Sequence, residues 1–333
     1  MSKLTIKNSL VILLVCVLVF AGSFGSALYF AHEDIVQTCN NKAESDLERV
    51  LVAFDKELSQ AQQSLATFNA TVLENGERIP EQDELYRQME MFLKSNPNLS
   101  GIVAGFEDAV FPAYAGKNGF IPLVRHQGDS LVHYQVGETR DVRTINDWYS
   151  IPRQYDISIW CRPFLSEEGD LIPCYSMPLH NKQGDIIGVV AVDLSMSHII
   201  ELITRIKPTP DATVTIMLTT DLTYMIHPNQ AYVMKESLPS TFRQLGIDAP
   251  EQLFEDIKAQ KSGHELLSWG AHSSYVYYAP VEKARCAAMI DMPRQTVLAP
   301  LQAIFYNMLF CACFGLVVLI IFLITHTRFR ISK

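Results

Sequence analysis

Two long uncharged stretches, one at each end, constrain the chain more than any other feature. From Leu10 to Ala31 there are 22 residues without a charge, and from Pro300 to Thr327 there is a second such run. A helix rising about 1.5 Å per residue crosses about 30 Å of hydrocarbon in roughly 20 residues, so each run is long enough to span a membrane. Lys3 and Lys7 with the small residues Ala21, Ser23 and Ser26 also fit a cleaved leader, but the apolar run exceeds a leader's usual core. The expected plan is therefore a tail over 1–9, a first span over 10–31, a second over 300–327 and a tail over 328–333.

Charge orients this plan. The sequence carries 27 Lys and Arg against 36 Asp and Glu, and every acidic residue lies between Glu33 and Asp291. Lys3, Lys7, Arg328, Arg330 and Lys333 lie outside the spans. Basic flanks stay on the cytoplasmic side, which predicts a two-pass inner-membrane chain with both termini in the cytoplasm and some 270 residues outside, with lipid as the partner of the spans. The net charge of -9 repels phosphate backbones and argues against a nucleic-acid partner.

After the first span, Leu47, Leu51, Phe54, Leu58, Ala61, Leu65 and Phe68 recur in alternating steps of four and three, one stripe along a helix expected over 32–80. The stripe fits either a partner subunit, as in a homodimer, or the chain's own domain. A second helix is expected from about Glu81 to Lys94, stopped by Asn96-Pro97. Beyond Pro97 the period becomes that of strands, punctuated at Gly128-Asp129, Glu168-Gly169-Asp170 and Gly184-Asp185. A helix over about 195–207 ends at Pro208 and Pro210, and a smaller strand set follows, with a helical insert near 250–260. The outside part thus divides into a unit over 81–209 and one over 210–299.

Signatures of catalysis are missing from the sequence: there is no phosphate loop, no G-x-S-x-G and no H-E-x-x-H, so an enzyme, a resident metal and a cofactor are not expected. A binding pocket needs only aromatic walls and a few converging polar groups. Trp148 and Tyr149 fall in a polar stretch, DVRTINDWYSIPRQ, read as a loop, and Trp160, Phe164 and Tyr175 follow on strands. Arg143 and Arg153 offer charge for an anion, and Asp141, Asp147 and Asp193 for a cation. Cys161 and Cys174 bracket a turn that can bring them opposite each other as a disulfide in an oxidising compartment. Plain packing of Trp148 and Tyr149, and an N-cap role for Asp193, are the ordinary alternatives.

The order of these parts resembles the double Cache sensor family, an α+β arrangement of a long N-terminal helix and two tandem PAS-like antiparallel sheets flanked by two transmembrane helices. The resembling stretches are DWYSIPRQ at 147–154, IWCRPF at 159–164, CYSMPLHNKQGDIIGVVAVDLSMSHI at 174–199 and TTDLTYMIHPN at 219–229. The resemblance implies that Trp148 and Tyr149 line a ligand pocket in the outer unit and that Asp193 grips an ammonium group. Amino-acid-binding members carry an Arg two residues before the Trp, where this chain has Asn146, so an amine-like small molecule is expected over an α-amino acid. It also implies a membrane sensor that relays binding to a cytoplasmic output or membrane partner. A structural protein with a ligand-free Cache fold is the alternative.

Overall fold

The computed structural model describes residues 2–74, 77–116, 118–136, 143, 146–166, 169–206 and 211–331. Helix α1 (Ser2–Thr71) is continuous for 70 residues, about 105 Å at helical rise. It contains no proline, and its two glycines fall in the apolar half. Helix α7 (Arg294–Ile331) closes the chain. The first part of α1 and α7 are each long and apolar enough to cross a membrane. They lie side by side, with the Phe24 and Phe305 rings 5.9 Å apart.

Helix α2 (Gln82–Ser95) buries Leu85, Met89 and Leu93 and stops where Asn96 turns its side-chain amide onto the Phe92 carbonyl, just before Pro97. The outer sheet then forms from β1 (Leu99–Phe106), β2 (Pro122–Gln127), β3 (Ser130–Gln135), β4 (Ile159–Trp160), β7 (Cys174–His180) and β8 (Ile186–Leu194). Between β4 and β7, β5 (Phe164–Leu165) and β6 (Leu171–Ile172) make a small separate ribbon. Helix α3 (Asp147–Tyr155) precedes β4, and α4 (Met196–Thr204) follows β8.

The inner sheet is built from β9 (Thr213–Leu218), β10 (Tyr224–Ile226), β11 (Gly263–Trp269), β12 (His272–Val281) and β13 (Cys286–Pro293). Helices α5 (Leu238–Leu245) and α6 (Glu251–Lys258) stand between β10 and β11. The strand orders are β3-β2-β1-β8-β7-β4 and β10-β9-β13-β12-β11. Without the extra hairpin strand β3, both orders are the same: first strand beside last strand at the centre, all neighbours antiparallel. The α+β fold with a leading helix and two antiparallel sheets is the one expected. The expected boundary at 209/210 lies outside the described residues.

One hydrophobic cluster runs through both sheets and α1. Along α1 it takes in Leu47, Val50, Phe54, Leu58, Ala61, Leu65 and Phe68, all buried, with Leu51 half-buried beside Val50. The stripe therefore packs on the chain's own domains. Polar contacts fix it at both levels. Glu57 accepts from Asn98 at 3.1 Å in the outer unit, and Lys283 of the inner unit donates to Asp55 at 2.8 Å and Ser59 at 2.7 Å.

Truncating a fully buried member of this stripe removes apolar contact and leaves a cavity. Leu65→Ala is expected to destabilise by about 3 kcal/mol, whereas the exposed Val52→Ala should change stability by less than about 0.5 kcal/mol. Equilibrium urea unfolding of both variants measures the difference.

Candidate functional site

Helix α3 lies against one face of the outer sheet. The sequence reading makes this segment a loop; the structure folds it into nine helical residues, with the Asn146 carbonyl accepting from Tyr149 and Ser150 N–H at 3.1 and 3.0 Å. Pro152 sits inside this helix, and the chain leaves through Asp156 in a left-handed conformation. Trp148 and Tyr149 are both buried, their rings 5.5 Å apart and nearly perpendicular. Glycine is required beneath them, because a Cβ at Gly105 would stand 2.7 Å from the Tyr149 ring and 3.3 Å from that of Trp148. The Tyr149 hydroxyl donates to Glu107 at 2.8 Å, and Arg153 Nε donates to the same carboxylate oxygen at 2.7 Å. Burial, then the Glu107 bond and charge, push the Tyr149 phenol well above its ordinary range.

Trp148 and Tyr149 share their cluster with Val103, Val189, Ala191, Cys161 and Cys174. Alternation along β8 puts Asp193 on this same face, two residues after Ala191. Desolvation raises its carboxyl to about 6, against the opposing pull of a Cys174 thiol bond and the Arg125 charge. Asp193 does not cap α4. That role belongs to Ser195, whose Oγ accepts from His198 N at 3.5 Å.

The pairing registers reveal a polar row across the face that the sequence reading missed. Arg125 of β2 pairs with Gly101 of β1, Gly101 pairs with Asp193, and Asp193 pairs with Cys174. A Cβ at Gly101 would lie 3.0 Å from Asp193 Oδ2 and 3.4 Å from the Arg125 Cβ. A carboxylate and a guanidinium thus flank a residue with no side chain, on the face that α3 partly covers. Arg125 also reaches Asp170 at 3.8 Å. In sequence it is one charged residue of an exposed-looking hairpin; only the long-range pairing reveals its position.

The other expected residues divide between places. Cys161 N–H donates to the Cys174 carbonyl at 2.9 Å, so the two residues oppose each other across the strands, and both are free thiols in this structure. The bond to Cys161, and then burial, hold the Cys174 thiol well above its usual range. Arg143 is committed elsewhere: its guanidinium donates to the Phe106 carbonyl at 2.8 Å and Asp108 at 2.9 Å, above Gly119. Asp141 lies outside the described residues. Trp160 and Tyr175 pair on the opposite side of the sheet, rings 5.1 Å apart, packed toward the α1 core. They do not line the Trp148 face. Asp147 opens α3 as an exposed carboxylate. In the inner unit, Tyr224 bonds Thr241 at 2.7 Å and Tyr277 donates to Asn40 of α1. Among the described residues no three His, Cys, Asp or Glu side chains are placed to hold a metal ion.

If Gly105 is needed to seat the aromatic pair, Gly105→Ala should displace it at a cost of about 1–3 kcal/mol. Loss of the near-ultraviolet circular dichroism of the pair with retained far-ultraviolet signal is the expected observation; unchanged near-ultraviolet bands would show that the rings sit elsewhere.

Comparison with known proteins agrees with this geometry. Residues 85–201 match the family model described as methyl-accepting chemotaxis protein-like, first PDC sensor domain. No curated protein sequence matches the chain. Among solved structures, the periplasmic sensory domain of the Campylobacter jejuni chemoreceptor Tlp1 is 14% identical, with a TM-score of 0.62 over 80% of this chain and 99% of that one. Methyl-accepting chemotaxis protein X is 15% identical, with a TM-score of 0.62 over 78% and 99%. The ligand-binding domain of the Pseudomonas aeruginosa PAO1 amino acid chemoreceptor PctC, in complex with GABA, is 16% identical, with a TM-score of 0.55 over 76% and 99%. At these identities the likeness is one of fold. The family model covers the outer unit and the solved sensor domains extend over both, so the part of this chain between its apolar helices has a double Cache-type fold.

Proposed function

We propose that the chain is a two-pass inner-membrane sensor, with both termini in the cytoplasm, that binds a small amine-bearing metabolite outside and does no chemistry on it. The observation that carries this reading is the row Arg125–Gly101–Asp193 beside Trp148 and Tyr149. A half-buried carboxylate with a raised pKa gains most from an ammonium partner, which both repays its desolvation and favours its charged form. Aromatic faces next to it favour the same cation. Arg125, two strands away across Gly101, suits a carboxylate on the same molecule and takes the part that Asn146 cannot play. Solved relatives of this fold are described in complex with GABA and with L-norvaline, both amine-bearing.

Relay follows from connectivity in this reading. The unit boundaries at 209/210 and 299/300 make the outer unit the receiver and the inner unit the transmitter, with α1 and α7 carrying the shift to a cytoplasmic or membrane-bound partner, in a homodimer. Different ligand affinity in two states of the module is what would drive such a shift. Cys161 and Cys174, adjacent to Asp193, are read as a pair that bonds in an oxidising compartment.

Binding of an ammonium ligand requires the ionised form of Asp193. Affinity should therefore fall about tenfold for each pH unit below about 6 and level off above about 7. Isothermal titration of the full chain in nanodiscs with a panel of amines and amino acids measures this, and Asp193→Asn should flatten the profile and weaken binding at least about tenfold. A correctly folded protein that binds none of the panel would favour the ligand-free structural alternative. For the topology, Gln183→Cys on the exposed β7–β8 turn should react with a membrane-impermeant maleimide in spheroplasts; protection there until lysis would reverse the orientation.

A further inference from the structure

A cleft of about 480 Å³ lies between the two units; Cys161 borders it, but neither Asp193 nor Arg125 lines it. Its outer wall comes from α3 and the strand β4, its inner wall from the end of β9 and the turn before β13, and Gln62 of α1 contributes to it. We infer that this cleft is a second ligand site, taking a small zwitterion whose ammonium group meets Asp147 and whose carboxylate meets Arg285 and the indole N–H of Trp160.

Three observations converge on that class of ligand. First, Trp160 Nε1 is buried and has no hydrogen-bond partner among the described residues. An indole donor left in that state bears a desolvation cost that an acceptor in the cleft would remove. Second, the cleft's charged groups sort into occupied and unoccupied ones. Arg162 is paired with Asp221 at 2.7 Å, and Lys283 with Asp55 at 2.8 Å. Among the described residues, Arg285 and Asp147 have no side-chain hydrogen bond or ion pair, so the two remaining charges are of opposite sign and stand on opposite units. Third, Arg285 holds a left-handed backbone, φ 47°, rare for a side chain of its size. Its carbonyl accepts both the N–H and the Oγ1 hydroxyl of Thr219 at 2.9 Å, which fixes the residue in place on the cleft wall. Backbone strain held by its surroundings is a feature of ligand clamps. The Trp160–Tyr175 pair adds aromatic surface to the same cleft.

A ligand so held would bridge outer unit, inner unit and α1 at once. The Arg162–Asp221 pair already links the two units.

The test is titration of 5-aminopentanoate into the full chain in nanodiscs at constant ionic strength, read by tryptophan fluorescence and thermal shift, with pentanoate and pentylamine as single-charge controls. The expected result is a saturable response to the zwitterion, with each control at least about tenfold weaker. Asp147→Asn and Arg285→Asn should each weaken it at least about tenfold. Asn is chosen at 285 because it tolerates the left-handed backbone, and Asp147 is exposed, so its variant carries little risk to the fold. No saturable response up to roughly 20 mM overturns the proposal. So does a response equal for zwitterion and controls. A response removed by Asp193→Asn but kept in Arg285→Asn would assign the probe to the outer face and overturn the cleft site, while leaving the sensor reading intact.

Discussion

Burial of one stripe of α1 is the interaction on which the rest depends. Neither sheet can cover its own inward face, and the same run from Leu47 to Phe68 covers both. The cluster is continuous from α2 and β1 through α1 to β12 and β13, so the two units share a core while each keeps a second face of its own. A small isolated sheet of this kind would expose too much apolar surface to be stable. The helix that makes the module possible is also the one that continues into the first apolar segment.

The two second faces differ in a way that matters for ligands. On the outer sheet, β1 presents Gly101, Val103 and Gly105, and the absence of side chains leaves room for the Tyr149 ring and for the Asp193 carboxylate. On the inner sheet, the corresponding central strands present Met217, Ala287 and Met289, closed over by Tyr224, Leu238, Phe242 and Phe254. The same strand order thus gives one face with space and polar groups and another filled with side chains. That contrast comes from the side chains alone, on a strand order the two sheets share apart from the extra β3.

Much of this architecture was legible in the sequence, for physical reasons that also explain the misses. Strands between Gly turns announce themselves by alternation, and the α1 stripe by its three-four steps, because both are local patterns. Helix α3 is short, polar along most of its length and contains Pro152, so nothing in DVRTINDWYSIPRQ favours a helix until the sheet beneath buries Trp148 and Tyr149. Trp160 and Tyr175 were expected beside that pair and lie on the other face. The parity of a two-residue strand is fixed only by its register with β7, and a shift of one residue would exchange the faces. Arg125 is not legible in the sequence because its neighbours in the row are contributed by β1 and β8, away from its own hairpin.

Strand β13 ends at Pro293, and α7 begins at the very next residue. This strand is the middle one of five, laddered to β9 on one side and β12 on the other. No slack linker intervenes to dissipate torque, so the helix inherits the torsional stiffness of the whole sheet. Inserting even a short flexible spacer at that junction would uncouple the two mechanically while leaving each of them folded.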